Sequence, residues 1–385
     1  MERRGPALAV GLVVVGLATG SAAGCTAGSD GPTTVEVSRG VCGQGWDHPR
    51  GGNQTFQVHN VGTNTTEVQL IDPGSGAVYA EIDGLAPGTT RPMQVRLARG
   101  KYAFKCLPED TDALTGATVH VTDGPRQAPP AAVPVDQQDL RAAVTTYRAY
   151  VRRSFTPLRR DVAALRTAVD SGDRAAARRA WLPAHRDYER LGAAYGTFGD
   201  AADAIDGLPA GLPKGVHDKA FTGFHRIEYG LWHGESMSSL KPRAATLDSD
   251  VAGLVRDFGG EETDPNDLPL RAHEILEATL QFELTGEADF GSGTTLATAQ
   301  ANVAGTRAVL AALHDVLKQR YAALPSVYRW LDRVDTLLAA QHHDGRWTPV
   351  GQLTGAQRRA LDGAVGETLE RLAPIAALAE VRRAQ

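Results

Sequence analysis

Two patterns of apolar positions divide the chain. Between residues 33 and 122, short runs alternate apolar and polar side chains, and clusters of Gly, Pro, Asn and Asp separate the runs. A period of two puts every second side chain on one face of a strand. We therefore predict a small antiparallel β-sandwich over residues 33–122. Its predicted strands include residues 34–37, 55–58, 67–70, 93–97, 102–104 and 117–121.

The second pattern has the period of an α-helix. Over residues 136–385, apolar side chains recur every three or four positions, as in Leu140, Val144 and Tyr147. Breaks in this pattern predict seven or eight helices in an all-α bundle. A Pro-rich stretch over residues 123–135 predicts a linker between the two domains. The predicted stop signals are Pro157, residues 171–173, Pro209, Pro265, Gly286, Pro325 and Gly345.

The N-terminus has the pattern of an export signal. Arg3 and Arg4 precede an apolar run over residues 7–18 and then small residues up to Cys25. Residues 22–25 are similar to a bacterial lipobox, which predicts a signal peptide over residues 1–24, lipidation of Cys25 and a flexible tether over residues 25–32. Ordinary secretory cleavage nearby is the alternative. No later run reaches the length of about 20 apolar residues that spans a bilayer.

These features predict an exported protein held by its lipid on the outer face of the cytoplasmic membrane, in the periplasmic or cell-wall space. Its 385 residues are 42% hydrophobic, which is enough for sizeable cores. Lys and Arg total 40 against 45 for Asp and Glu, a formal net charge of -5. Such a balance excludes the broad basic surface of a nucleic-acid-binding protein and suits a cationic ligand.

Two cysteines remain in the predicted sandwich, Cys42 and Cys106. Outside the cytoplasm, such a pair forms a disulfide or supplies thiolate ligands to a metal. The segments at residues 60–68 and 100–106 resemble the cupredoxin fold. Copper members of that family have a His where this chain has Thr66, and a His and a Met after the Cys, which are missing here before Gly116. The sequence therefore predicts no blue-copper site.

Two alternatives stay open at this end of the sandwich. A disulfide between Cys42 and Cys106 would stabilise a domain whose core is small. A remodelled metal site would instead combine Cys42, Glu67 and Cys106, and its carboxylate would favour a harder ion such as iron.

Three stretches of the helical region carry a His and a carboxylate one turn apart. They are His185 with Glu189, His225 with Glu228, and His273 with Glu277. Side chains three or four positions apart lie on the same helix face, so each pair can supply two ligands to one ion. An ordinary surface hydrogen bond is the alternative for each pair. Apolar neighbours such as Phe224 and Ile227 predict burial of the second pair, and buried charges are paired or metal-bound.

The run at residues 221–231 resembles the Gly-x-His-x-x-Glu signature of imelysin-like proteins, in the form of the EfeO-type iron-uptake proteins. Further segments of that family recur in order, including Tyr188-Glu189-Arg190 and Phe198-Gly199-Asp200. A cupredoxin-like domain followed by an imelysin-like helical domain is the EfeO architecture. The resemblance implies these folds for residues 33–122 and 136–385.

The resemblance also implies a function and a ligand set. EfeO-type proteins bind iron outside the cytoplasmic membrane and serve a ferrous-iron permease, together with a secreted haem peroxidase. Matched by motif position, His225, Glu228, Glu189 and Asp200 are the implied metal ligands. Ala202 replaces an acidic residue of the family pattern, which leaves open whether Asp203 or Asp206 takes its place. The oxidation state of the iron also stays open, and zinc would accept the same donors.

An enzyme is the competing class, because imelysin-like domains have been grouped with metallopeptidases. The zinc peptidase motif His-Glu-x-x-His is missing, since the stretch that begins with His273 and Glu274 ends in Glu277. We interpret the side chains of that stretch as groups that support the ligands from behind or that pair between helices. A third class is a structural module whose pairs are salt bridges without metal. The sequence favours an iron-binding component that is not an enzyme.

Overall fold

A computed structural model describes residues 32–109, 111–127 and 131–381. The predicted signal peptide and the predicted lipidation site at Cys25 lie outside the described residues. Within the described part of the chain, no helix combines the length and the hydrophobicity of a membrane span.

The N-terminal part consists of two β-sheets. In the first sheet the strand order is β2-β1-β3-β6, and in the second it is β5-β4-β7-β8, with β9 also paired to β7. The strands are β1 (Thr33–Val37), β2 (Cys42–Gln44), β3 (Gly52–Asn60), β4 (Thr66–Ile71), β5 (Val78–Leu85), β6 (Thr90–Leu97), β7 (Gly100–Pro108), β8 (Leu114–Thr115) and β9 (Val119–Val121).

The apolar faces of the two sheets share one core. Val35, Phe56 and Val58 of the first sheet and Val68 and Phe104 of the second are buried in the same cluster. The alternating runs therefore form the predicted strands. The prediction that all pairs are antiparallel is wrong, because β1 pairs with β3 in parallel. The chain turns from β1 into the edge strand β2 and then returns on the other side of β1, which gives β3 the direction of β1.

Cys42 and Cys106 form a disulfide that joins β2 of the first sheet to β7 of the second. The sequence left open a disulfide or a metal site here, and the structure contains the disulfide. A disulfide offers no thiolate to a metal. The carboxylate of Glu67 accepts a hydrogen bond from Gln69 Nε2 at 2.6 Å. The predicted trio of Cys42, Glu67 and Cys106 is therefore not a set of free ligands.

The C-terminal part is helical. Its helices are α1 (Gln137–Ser171), α2 (Arg174–Glu189), α3 (Tyr195–Phe198), α4 (Asp200–Asp206), α5 (Gly223–Trp232), α6 (Met237–Asp257), α7 (Asp267–Ala278), α8 (Thr295–Ala312), α9 (His314–Leu317), α10 (Leu324–Ala339) and α11 (Gly355–Leu378). Short 3₁₀ turns lie at Gly192–Ala194, Gly215–His217 and Val350–Gln352, a π-helical turn at Thr279–Glu283, and a small hairpin at β10 (His342–His343) and β11 (Arg346–Trp347).

The longest helix, α1, packs against both α2 and α6. The prediction that Pro157 ends a helix is wrong, because α1 continues through it to Ser171. A proline inside a helix removes one backbone hydrogen bond. The buried side chains Phe155, Leu158 and Val162 around it pack into the helical core and keep the helix continuous. α1 instead ends at Gly172, whose φ of 79° is left-handed.

The end of the Pro-rich segment contacts both parts of the molecule. Ala132 pairs with Val78 of β5, and Val135 pairs with Val381. Arg320 donates hydrogen bonds to the carbonyl oxygens of Val133 and Pro134 at 3.0 and 2.7 Å. Residues 131–135 are thus bound to the β-sheets at one end and to the helices at the other.

Candidate metal centre

The last turns of α2 carry the first His–carboxylate pair. His185 and Glu189 are buried, and His185 Nε2 lies 3.4 Å from Glu189 Oε1. The indole of Trp181 packs on the His185 ring, with 4.7 Å between the ring centroids. Trp181 Nε1 donates a hydrogen bond to the backbone oxygen of Phe224 at 2.9 Å. This bond fixes α2 against the start of α5.

The second pair lies on α5. His225 is 3% exposed and Glu228 is 1% exposed. His225 Nδ1 lies 3.5 Å from Glu228 Oε2. The other oxygen, Glu228 Oε1, accepts hydrogen bonds from the backbone N–H groups of Phe290 and Ser292 at 3.2 and 3.0 Å. The carboxylate is therefore held by a loop while it faces the His225 ring.

Gly223 begins α5 and lets it approach the end of α4. Its φ is +76°, and a Cβ atom at this position would lie 2.1 Å from the backbone oxygen of Ile205. The hydroxyl of Thr222 donates a hydrogen bond to the Ala204 oxygen at 2.9 Å. Only glycine meets both requirements, a left-handed backbone and no side chain. The close approach places Asp206, the last residue of α4, beside His225.

Asp206 connects the two pairs. Its Oδ1 atom lies 3.0 Å from His185 Nε2 and 3.6 Å from His225 Nε2. One ligand atom of each of these three residues lies within 4.8 Å of the others. Ligands at about 2.1 Å from an octahedral ion are about 3 Å apart when adjacent. The two distances from Asp206 are close to this value, which makes the three side chains candidate ligands of a single cation.

Several of these polar atoms have no hydrogen-bond partner in the described structure. They include His185 Nδ1, His225 Nδ1 and Glu228 Oε2, whereas His185 Nε2 and Asp206 Oδ1 face each other at 3.0 Å. Buried polar atoms without partners are rare and cost free energy. A bound cation would supply the missing partner for such atoms.

Burial and neighbouring charges shift the pKa values of these side chains. Burial, and then the charge of Asp206, raise the pKa of Glu189 to about 7. Burial would also raise the pKa of Asp206, but the positive charges of His185 and His225 outweigh it and lower that pKa to about 2. Burial lowers the pKa of His185, yet Asp206 and Glu189 together raise it well above its ordinary value. The cluster formed by His185, Glu189, Asp206, His225 and Glu228 therefore stabilises positive charge strongly.

A further carboxylate belongs to this electrostatic cluster. Glu283 is buried at the end of the π-helical turn, a type of turn that is frequent at functional sites. Burial, followed by the charge of Glu189, raises the pKa of Glu283 well above its ordinary value.

The structure brings together three of the four predicted ligands. Glu189, His225 and Glu228 lie in the cluster. Asp200 is exposed in the first turn of α4 and does not belong to it, so placing Asp200 at the site is not supported by the geometry. Asp206 lies at the other end of the same helix and occupies the site, whereas Asp203 is exposed.

The ligand set implied by the family motifs omits two functional candidates, His185 and Glu283. The one-turn spacing of His185 and Glu189 was a usable signal, but spacing does not show that α2 and α5 face each other. Glu283 offers no such signal, because it depends on an irregular turn. The third pair, His273 and Glu277, is partly exposed on α7 with 3.6 Å between Nδ1 and Oε2. These two side chains contact each other within α7 and lie outside the cluster.

Comparison with known proteins identifies a family and similar proteins. The family model of imelysin, designated peptidase M75, matches residues 143–373. The chain is 29% identical over 327 residues to the iron uptake system component EfeO of Yersinia pestis. The matched residues are 84% of this chain and 85% of the relative. The chain is 27% identical over 325 residues to the EfeO component of Escherichia coli (strain K12), with 84% and 85% covered.

Proposed function

The chain belongs to the imelysin family, and from this premise we propose that it is the iron-binding component of an extracytoplasmic iron-uptake system. The similarity to EfeO components over 84% of the chain supports the iron-uptake role. The observation that carries the binding role is the convergence of His185, Asp206 and His225 within 4.8 Å of one another in a buried site.

The distances suggest a role for each residue. His185 Nε2, His225 Nε2 and Asp206 Oδ1 face one another and would bind the ion directly. Glu189 lies beside His185 and would complete the set. Glu228 lies beside Nδ1, the other nitrogen of the His225 ring, where carboxylates commonly orient a metal-bound imidazole. We therefore give Glu228 a positioning role rather than the ligand role suggested by its motif.

The donor set suits iron. Two imidazoles and one or two carboxylates are ligands that ferrous iron accepts with positions left open. Open positions matter for a transport component, because its ion must leave again. Zinc accepts the same donors and would bind as a substitute.

The wider proposal follows the family resemblance. The β-sheets would be a cupredoxin-like domain, and lipidation of Cys25 would hold the protein on the outer face of the membrane. Iron would pass to a ferrous-iron permease, with a secreted haem peroxidase as a further component of the system.

Iron binding by defined variants tests the central proposal. We expect the exported chain to bind one Fe(II) under anaerobic conditions, measured by calorimetry and by elemental analysis after gel filtration. His185→Ala and His225→Ala should each remove stoichiometric binding, while helical circular dichroism stays unchanged. The matched control is His273→Ala, which removes a histidine with the same spacing to a carboxylate on an exposed face. Absence of iron from the wild-type protein would contradict the proposal.

A metallopeptidase is the second candidate, and one observation favours it. Two histidines and a carboxylate form the ligand set of catalytic zinc in several peptidases, and Glu189 lies beside them. The zinc-loaded protein should be incubated with unstructured peptides and the products analysed by mass spectrometry. Cleavage that disappears in His225→Ala would favour this candidate. Iron binding without cleavage leaves the transport role.

A further inference from the structure

The buried position of the ligands requires a path for the ion. A cavity of about 90 Å³ has Glu189 in its wall and is also lined by Tyr195, Arg271, Glu274, Ala278 and Asn302. The cavity thus connects a residue of the metal centre with residues of α7 that are partly exposed. Gly192 and Ile275 complete a mostly apolar lining, in which the carboxylate, amide and hydroxyl groups offer oxygen donors suited to a passing cation.

The inner end of the cavity is polar and buried. Glu189 is 7% exposed and Asn302, on α8, is 6% exposed. The hydroxyl of Tyr195 has no hydrogen-bond partner in the described structure. An ion that arrives here meets Glu189 Oε1, which lies 3.4 Å from His185 Nε2. One short step then separates it from the proposed ligands.

The outer end contains an ion pair. Arg271 and Glu274 lie one turn apart on α7, with 2.7 Å between Nη1 and Oε2. Both side chains are about one third exposed, so they can rearrange towards solvent. Ala278 follows one turn later at the end of α7 and is itself exposed. Glu274 is therefore the more exposed of the two carboxylates that line the cavity.

We propose that this cavity is the route of iron to the metal centre, and that Glu274 is a transient ligand for the ion at its entrance. The inference rests on the proposed iron-binding function. Arg271 neutralises Glu274 in the absence of iron, and an arriving cation takes its place on the carboxylate. At about 30 Å³ per water, the cavity holds roughly three waters, so the ion enters with an incomplete hydration shell. Glu274, Asn302 and Glu189 replace the lost water oxygens in turn.

The route can be blocked without touching the proposed ligands. Ala278→Phe places a ring at the opening, and Glu274→Gln removes the entrance charge. The control is Ala175→Phe, at an exposed position of α2 outside the cavity lining. Binding of Fe(II) is followed anaerobically by stopped-flow quenching of tryptophan fluorescence, since Trp181 lies against His185. Dissociation is followed with a chelator in excess.

A blocked route slows entry and exit together. We expect Ala278→Phe to lower the association and dissociation rates by about tenfold each, with an unchanged Kd and one ion per chain. Glu274→Gln should lower the association rate by about threefold, because the transient ligand is lost and the positive charge of Arg271 is left without its partner. Ala175→Phe should bind at the wild-type rate.

The outcomes separate this inference from the proposed function. Wild-type rates in both cavity variants, with one iron bound, overturn the route and leave the iron-binding function intact. A wild-type protein that binds no iron overturns the function itself. If Ala278→Phe does not fold, the rate of Glu274→Gln decides alone.

Discussion

Three His–carboxylate pairs share the spacing of one helical turn but differ in what surrounds them. His273 and Glu277 lie on an exposed face of α7 and contact each other. His185 with Glu189 and His225 with Glu228 lie in the core, where both histidines also face Asp206. The spacing alone therefore produces an ion pair, and a third partner from another helix turns buried pairs into a candidate ion site.

The difference has an energetic basis. Solvent satisfies the exposed pair, so an ion adds little to it. In the core, ring nitrogens and carboxylate oxygens have no hydrogen-bond partners in the described structure. Each unpaired buried polar group costs about 1–3 kcal/mol. A cation that satisfies several of them at once would offset these costs, which is the energetic basis of the proposed affinity.

Asp206 is the main difference between the buried pairs and the exposed pair, because it faces both buried histidines. Asp206→Asn keeps the size of the side chain but removes the charge that faces both histidines. We expect the affinity for Fe(II), measured by anaerobic calorimetry, to fall more than about 100-fold, or roughly 3 kcal/mol. The control is Asp200→Asn at the exposed end of the same helix, which should bind like the wild type. An equal loss in both variants would restore Asp200 as a ligand and contradict the geometry.

Substitution of Gly223 tests how Asp206 is brought close to the two buried His–carboxylate pairs. Gly223→Ala and Gly234→Ala both force alanine into a left-handed backbone, with φ values of 76° and 78°. At Gly234 a Cβ has open space, whereas at Gly223 it would lie 2.1 Å from the Ile205 oxygen. We expect unfolding free energies lower by about 1 kcal/mol for Gly234→Ala and by more than about 3 kcal/mol for Gly223→Ala.

The same pair of variants should differ in iron binding. Displacement of α4 by the new methyl group moves Asp206 away from His225, so Gly223→Ala should also weaken Fe(II) binding. Chemical denaturation and calorimetry on both variants provide the measurements. Equal stabilities and equal affinities would show that the close approach of α4 and α5 is not required.

Periodicity predicted the two-part fold and most of its elements. Each alternating run became a strand, and eight of the described helices have ten or more residues. The pattern wrongly predicts a helix end at Pro157, because a long apolar stripe on α1 outweighs one lost backbone hydrogen bond. The parallel pairing of β1 and β3 depends on the path of the chain around β2, which local pattern does not encode.

The site was predicted only where its residues lie within one turn of each other. His225 and Glu228 share a motif, and Glu189 shares a helix with His185. Asp206 comes from a helix that ends 19 residues before His225, and its role depends on the contact between Gly223 and Ile205. Asp200 matched the family motif but faces solvent. Residues that meet through tertiary packing leave no fixed spacing in the sequence.

Proton competition should change the affinity less than Asp206→Asn does, and it tests whether Glu189 belongs to the ligand set. In the metal-free protein, burial raises the pKa of Glu189 to about 7, so this carboxyl takes up a proton as the pH falls through 7. Iron binding requires the deprotonated form, and affinity therefore rises with pH. From Glu189 alone, the affinity should fall about tenfold between pH 8 and pH 6, because the protonated fraction changes from about one tenth to about nine tenths. His185, whose pKa is also raised, adds to the same trend.

Calorimetry in buffers of different ionisation enthalpy measures the protons that iron releases. Glu189→Gln should bind more weakly and release about one proton fewer near pH 6, while Asp200→Asn should keep the wild-type profile. A Glu189→Gln variant with the wild-type affinity and the wild-type proton release would mean that Glu189 does not contact the ion. In that case the buried cluster would reduce to His185, Asp206 and His225, and the cavity that ends at Glu189 would lose its inner ligand.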